Sequence, residues 1–175
     1  MSEPVPEFSR PLRIDSLGAT ARTLQVEANE DERAALARRF GLVAIDRLEA
    51  ELALTRDGER VTAAGLLRAQ VTQSCVASGN PVGAEVDAGF EIAFAPRPEP
   101  APEEIELSES DCDIVFYSGS EIDVGEAVAE TLSLNLDPWP RAPDADDALK
   151  KAGIKAEHEV GPFAALAALK DKLKR

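Results

Sequence analysis

The chain has 175 residues, of which 44% are hydrophobic and only 5% aromatic, and its net charge is −14. This length and composition predict one domain with a mainly aliphatic core, and no apolar run is long enough to span a membrane. The negative charge excludes long-range attraction to nucleic acid and favours a basic protein as partner.

The N-terminal sequence and the cysteines indicate the cellular compartment in which the protein is expected to lie. The sequence MSEPVPEFSRPLRI lacks a basic region followed by an apolar one, so it does not predict a secretory signal. The two cysteines, Cys75 and Cys112, do not make a disulfide framework. We therefore expect a cytoplasmic protein with reduced thiols.

Two short strands and a helix are predicted at the start of the chain. Apolar residues alternate with polar ones near residues 8–14 and 23–27, which is typical of strands. Asn29 with Glu32 three positions later predicts a capping box at the start of a helix. Gly41 fits the C-terminal end of that helix.

Residues 44–94 show a hydrophobic period of two. The pair Asp57 and Gly58 lies between two alternating runs and is a strong hairpin signal. Residues 79–81, Gly-Asn-Pro, predict a second turn, and Gly65 is a candidate for a bulge. The pattern predicts an antiparallel meander of three long strands.

Residues 95–113 form a connector rich in Pro and Glu, which is typical of an exposed mobile loop. Its part from 99 to 113 carries seven acids and no basic residue. Residues 114–117, Ile-Val-Phe-Tyr, predict a short strand that pairs back to the sheet.

The stretch 123–140 contains the clearest helix signal. Asp123 is predicted to cap the helix, with Glu126 as its reciprocal partner, and the helix should end before Pro138. The positions expected to form its buried stripe recur every four residues: Val124, Val128 and Leu132.

The chain is expected to divide near its last quarter. We predict that residues 1–140 form one α+β domain, an antiparallel meander or small barrel-like sheet with packed helices. Residues 141–175 are predicted to form a helical extension, either docked or mobile. In it Asp144 should cap a short helix that ends at Gly153, and Pro162 should open a last helix.

No catalytic constellation is visible. The single histidine, His158, lies in a charged linker, and no glycine-rich phosphate-binding motif is present. Glu126, Glu130 and Asp137 could bind a divalent cation, although an acidic helix face is more typical of a solvated surface. We expect no catalytic residue, no cofactor and no metal.

The second hairpin contains a cysteine at a position that resembles a zinc-binding motif. Cys75 and Ser78 stand at the C-x-x-C spacing with which zinc ribbons hold metal, but serine is a poor zinc ligand. No second C-x-x-C pair is present, and Cys112 lies in the acidic connector. We expect neither zinc nor a disulfide, and Cys75 should be a buried residue at a strand end.

These features, in this order, resemble the YceD family, which is linked to the accumulation of large-subunit ribosomal RNA. They are the hairpin VTQSCVASGNPV with Cys75, the acidic connector and the helix block. The block resembles the family pattern D-[LV]-x-E-x-[LV]-x-E-x-L-x-L-x-L-x-P at nine positions: Asp123, Val124, Glu126, Val128, Glu130, Leu132, Leu134, Leu136 and Pro138. The C-terminal segments WPRAPDADDALKKAGI and GPFAALAALK resemble the alphaproteobacterial branch. The chain departs from the frequent C-x-R-C form, because Ala77 and Ser78 replace Arg and Cys.

The resemblance implies a non-enzymatic role in accumulating or assembling the large ribosomal subunit. Family genes often lie beside that of a small basic ribosomal protein, which implies a basic large-subunit ribosomal protein as partner and an indirect association with ribosomal RNA. The candidate partner-binding residues are acids of the connector and the helix: Glu103, Glu104, Glu106, Glu109, Asp111, Glu126 and Glu130. The alternatives are RNA contact through the basic tail, residues 150–175, or an enzyme of unknown class.

Overall fold

The computed structural model describes residues 6–98 and 113–154. The strands are β1 (Pro11–Arg13), β2 (Arg22–Glu27), β3 (Ala44–Asp57), β4 (Arg60–Ser74), β5 (Pro81–Pro96), β6 (Ile114–Tyr117) and β7 (Glu121–Asp123). The helices are α1 (Glu30–Phe40), α2 (Val124–Leu134) and α3 (Ala145–Lys151), with a 3₁₀ turn at Ile14–Ser16. The predicted α+β class is confirmed.

Five strands form the main sheet in the order β2-β3-β4-β5-β6. The pairs β2–β3 and β3–β4 are antiparallel, whereas β6 runs parallel to β5, with Ile114 opposite Ala93. Within the described residues this sheet is open, with β2 and β6 at its edges. The meander is therefore confirmed, and the barrel-like closure is not formed.

A second sheet was not predicted. It consists of β1 and β7, which pair antiparallel with Pro11 opposite Asp123. The strand predicted over residues 8–14 is shorter in the structure, because Ile14 already belongs to the 3₁₀ turn. Its partner β7 has only three residues, which is too few for alternation to be recognised from the sequence.

The chain divides into two compact units. Unit 1 comprises Met1–Gln73 and Gly83–Pro138, and unit 2 comprises Ser74–Val82 and Trp139–Arg175. The tip of the β4–β5 hairpin thus belongs to the same unit as α3. Connector residues 99–112 and the C-terminal residues from 155 onward, including His158 and the helix predicted after Pro162, lie outside the described residues.

The core of unit 1 lies on the inner face of the main sheet, which alternates buried and exposed residues along β3 and β4. The fully or almost fully buried members of these two strands include Leu48, Leu52, Leu54, Val61, Ala63 and Leu67. The predicted stripe of α2 is confirmed, since its side chains are at most 1% exposed: Val124, Val128 and Leu132. No helix in this described part of the chain is long and apolar enough to cross a membrane.

The helix ends are mostly as predicted. Asn29 and Glu32 form the capping box of α1, and Gly41 ends this helix with a left-handed backbone at φ +67°. The carboxylate of Asp144 does not cap α3. It accepts a hydrogen bond of 2.7 Å from Nδ2 of Asn80 instead.

Gly65 does not form the bulge considered from the sequence. It lies in regular register opposite Leu52, and the register shift between β3 and β4 falls between Ile45 and Arg47. A Cβ atom at Gly65 would overlap the carbonyl oxygen of Glu51. The glycine therefore permits close approach of two backbones rather than a bend in the strand.

Candidate functional site

The acids of α2 differ in the partners they already have. Asp123 is used structurally, because its carboxylate accepts hydrogen bonds from the backbone N–H of Glu126 at 3.1 Å and of Arg10 at 2.8 Å. It also accepts a hydrogen bond of 2.5 Å from the hydroxyl of Ser9. Asp123 thus caps α2 and fixes the N-terminal segment of the chain to it.

Glu126 is also engaged within the protein. Both of its carboxylate oxygens accept hydrogen bonds from Arg39 of α1, at 2.6 and 3.0 Å. This replaces the predicted reciprocal bond to Asp123, which the described residues do not show. Arg39 also donates to Glu7 at 3.1 Å, and the hydrogen bond with Glu126 is the main reason that the pKa of Arg39 is raised. The carboxylate of Glu126 therefore already has a cationic partner within the protein.

Glu130 is different. It is exposed, and in the described part of the chain its carboxylate has no hydrogen-bond or ion-pair partner. Partial burial raises its pKa, and repulsion from Glu126 acts in the same direction, whereas the more distant Arg39 opposes both. Of the acids predicted on this helix, Glu130 is the one that a cationic partner would stabilise most.

Glu130 lines a groove of about 390 Å³ between α2 and the adjoining parts of β5 and β6. The floor is apolar and includes Phe90 and Ile92 of β5. Leu134, one helical turn after Glu130, also lines the groove and leaves 83% of its surface exposed. Leu134 thus adds an exposed apolar side chain to the apolar part of the groove.

The charged residues of the groove all have the same sign. Glu91, Asp113 and Glu130 line it, and its described lining contains no Lys or Arg. The sequence predicted Glu130 as a binding residue, whereas Leu134 was named only as a position of the family pattern. The signal was present, since Leu134 follows Glu130 by four residues and so shares its face of α2.

No metal centre is formed by the described residues, where no group of three or more His, Cys, Asp or Glu side chains could hold an ion. Glu126, Glu130 and Asp137 therefore do not form the cation site considered from the sequence. The acids predicted on the connector, Glu103, Glu104, Glu106, Glu109 and Asp111, lie outside the described residues.

Cys75, in unit 2, is buried at the end of β4 as predicted. Its Sγ accepts backbone N–H groups from Ala142 at 3.3 Å and from Ala77 and Ser78 at 3.4 Å. The bond from Ala142 contributes most to lowering the pKa of Cys75 to about 7, followed by a hydrogen bond with the Ser78 side chain; the backbone N–H groups of Ser78 and Ala77 add to the effect. Hydrogen bonds to a thiolate favour its charged form, so the turn holds an unusually acidic thiol.

We expect the stability contributed by Cys75 to depend on pH. Because the folded-state pKa of about 7 lies below that of an unfolded cysteine, about 8.5, the contribution is present above pH 8.5 and is lost as the pH falls through 7. The free energy of unfolding of wild type minus that of Cys75→Ser should therefore be smallest at low pH and should increase as the pH rises. Cys112→Ser is the control, and urea denaturation under reducing conditions measures the difference. A constant difference across this range would contradict the assignment.

The fold and the groove define an acidic α+β protein with an open sheet and a helix-lined, acid-rimmed surface. Residues 63–170 match the model of a family described as large ribosomal RNA subunit accumulation protein YceD. The match covers more than half of the chain and runs from β4 past α3, and the chain belongs to the YceD family. This is not a known enzyme family. No curated protein and no solved structure matches the chain.

Proposed function

We propose that this protein supports the accumulation and assembly of the large ribosomal subunit in the cytoplasm without catalysing a reaction. In this proposal it binds a basic large-subunit ribosomal protein through its acidic surface and associates with ribosomal RNA only indirectly. The family description supports the link to large-subunit ribosomal RNA. The observation that carries the mode of binding is Glu130, an unpaired carboxylate on a groove with no cationic lining residue among those described.

The charges of the chain support a basic protein as the partner. The net charge of −14 attracts cationic proteins and repels the phosphates of RNA. Capture through Glu126 would require its bridge to Arg39 to break, which makes Glu130 the better binding residue of the two. The connector acids add negative charge in the sequence directly before Asp113, a residue of the groove.

Neutralising these acids should slow the capture of the partner. We compare two variants with wild type: one in which Glu103, Glu104, Glu106, Glu109 and Asp111 become Gln or Asn, and Glu130→Gln. Association rates with purified basic large-subunit ribosomal proteins are measured over a range of salt concentrations. We expect slower association and a smaller salt dependence in the connector variant, because charges near an interface act mainly on the association rate.

Glu51→Gln is the matched control, since Glu51 is an exposed acid on the outer face of β3. It should leave the association rate almost unchanged, and circular dichroism should show that every variant is folded. Unchanged rates at low salt for both the connector variant and Glu130→Gln would contradict electrostatic capture.

One observation favours RNA contact as a second candidate. Residues 150–175 carry seven Lys or Arg against three acids, although the chain as a whole is acidic. If this tail contacts phosphates, binding to ribosomal RNA should weaken steeply with salt, because each phosphate contact releases counterions. A titration of RNA binding against salt therefore separates this candidate from capture of a basic protein.

A further inference from the structure

The edge of β5 beside α2 lacks a strand partner in the described chain. β6 pairs only with Ala93 to Pro96, so the preceding part of β5, residues 81–92, has β4 on one side and no described strand on the other. An unpaired strand edge presents backbone N–H and C=O groups that another chain can bind. The groove that contains Glu130 lies along this edge.

The direction of the free backbone groups follows from the pairing of β6. The N–H of Ala93 donates to the carbonyl of Asp113 at 2.9 Å, so Ala93 directs its backbone groups toward the β6 side. Side-chain exposure alternates regularly along β5 before this point. Because backbone direction also alternates, Gly89 and Glu91 direct their N–H and C=O groups to the same open edge.

The side chains around this edge are suited to an extended peptide. A strand added beside β5 would direct alternate side chains toward α2, where Leu134 offers an exposed apolar contact. The intervening side chains would point to the outer face near the carboxylate of Glu91, while Asp113 and Glu130 add negative charge to the groove. The apolar contacts therefore favour an aliphatic residue at every second position of the peptide. The surrounding acids favour Lys or Arg at the positions between them.

We propose that the open edge of β5 binds an extended, Lys/Arg-rich segment of a partner protein, which adds a strand to the sheet and places its aliphatic side chains against α2. The identity of this partner as a ribosomal protein rests on the proposed function, whereas the mode of binding does not. The peptide's backbone bonds to Gly89 and Glu91 supply affinity, and the groove supplies specificity.

Charge disfavours two other occupants of this edge, a second copy of the chain and the connector. A second copy of the chain would bring Glu85, Asp87 and Glu91 of one β5 strand against the same acids of another. The connector residues 99–112 carry six acids and no basic residue, so they would add like charge to an acidic groove. A cationic segment would instead gain favourable electrostatic interactions at each of these positions.

The probe is a short synthetic peptide of alternating Lys and Val, and the readouts are its affinity and the hydrogen exchange of individual amides. We expect binding to slow the exchange of the amides of Gly89 and Glu91. Leu134→Ser should weaken binding about tenfold, since burial of a leucine is lost. Glu130→Gln should weaken it about two- to fivefold, since one negative charge beside the cationic peptide is lost. Glu51→Gln on the outer face is the matched control and should leave the affinity unchanged.

Two control peptides separate strand addition from simple charge attraction. A lysine-only peptide lacks the aliphatic side chains, and an Lys/Val peptide with alternate backbone amides methylated cannot complete the strand pairing. Both should bind much more weakly than the parent peptide. Equal affinity of all three peptides would overturn the proposal.

The free protein provides a further test. Amides of Gly89 and Glu91 that already exchange slowly without peptide would show that the edge is occupied, and this would overturn the proposal. Loss of that protection on dilution would assign the edge to a second copy. Loss on changing Lys170, Lys172 and Lys174 to Gln would assign it to the chain's own basic tail.

These experiments distinguish failure of the proposal for the β5 edge from failure of the proposed function. If a basic large-subunit ribosomal protein binds wild type and Leu134→Ser equally and leaves Gly89 and Glu91 unprotected, the edge proposal is overturned and the function stands. If the peptide protects these amides and no large-subunit ribosomal protein binds, the edge proposal is supported and the function fails.

Discussion

Leu132→Ala is expected to lower the free energy of unfolding by about 2–5 kcal/mol, the usual cost of truncating a fully buried leucine. Leu132 is 0% exposed and belongs to the core cluster of unit 1. The substitution leaves a cavity that the surrounding core can fill only in part, because a packed core relaxes incompletely around a truncated side chain. Urea denaturation followed by circular dichroism measures the change.

Glu130→Ala on the same helix is the matched control. Glu130 is exposed and unpaired among the described residues, and its pKa is raised by partial burial and by repulsion from Glu126. Its removal should therefore change the stability by less than about 0.5 kcal/mol, with no loss of a favourable contact. Equal losses for the two variants would mean that the orientation of α2 is wrong.

The local features of the fold were predictable from the sequence because local physics determines them. The capping box of Asn29 and Glu32 acts within one helical turn, and the buried stripe of α2 follows from a four-residue repeat. The hairpin at Asp57 and Gly58 likewise depends on adjacent residues, with Gly58 at φ +61°. Each of these signals is complete within a few positions of the chain.

The features that were missed depend on contacts distant in sequence. Arg39 and Glu126 are 87 positions apart, and nothing near either residue indicates that they form an ion pair. Pairing of β1 with β7 likewise joins residues that are far apart in sequence, such as Pro11 and Asp123. Such pairs become visible only when the order of the strands and the packing of α1 and α2 are known.

The candidate site was predictable only in part, for the same reason. Glu130 could be selected from the sequence, because Glu126 already had a structural role available at the start of the helix. The groove itself could not be predicted, because it depends on where β6 begins to pair with β5. The open edge at Gly89 and Glu91 follows from that register.

The first turn of α2 packs closely on the N-terminal segment through Gly125. A Cβ atom at this position would overlap the carbonyl oxygen of Phe8 and lie 3.0 Å from the backbone nitrogen of Arg10. The same segment is held by Asp123, which accepts hydrogen bonds from Ser9 and Arg10. Added volume at Gly125 would therefore displace backbone atoms that other interactions hold in place.

Gly125→Ala is accordingly expected to destabilise the protein, by about 1–3 kcal/mol, as overpacking of a tight contact does. The direction of the change in stability is informative. Replacement of Gly by Ala at an open helical position would stabilise the protein by about 1 kcal/mol, because Ala has the higher helix propensity. Gly83→Ala is the matched control, because a Cβ atom there meets nothing within 4 Å. We expect urea denaturation to show a clear loss of stability for Gly125→Ala and no loss for Gly83→Ala in β5. A Gly125→Ala protein as stable as wild type would show that the segment from Phe8 to Arg10 does not pack on α2 in this way.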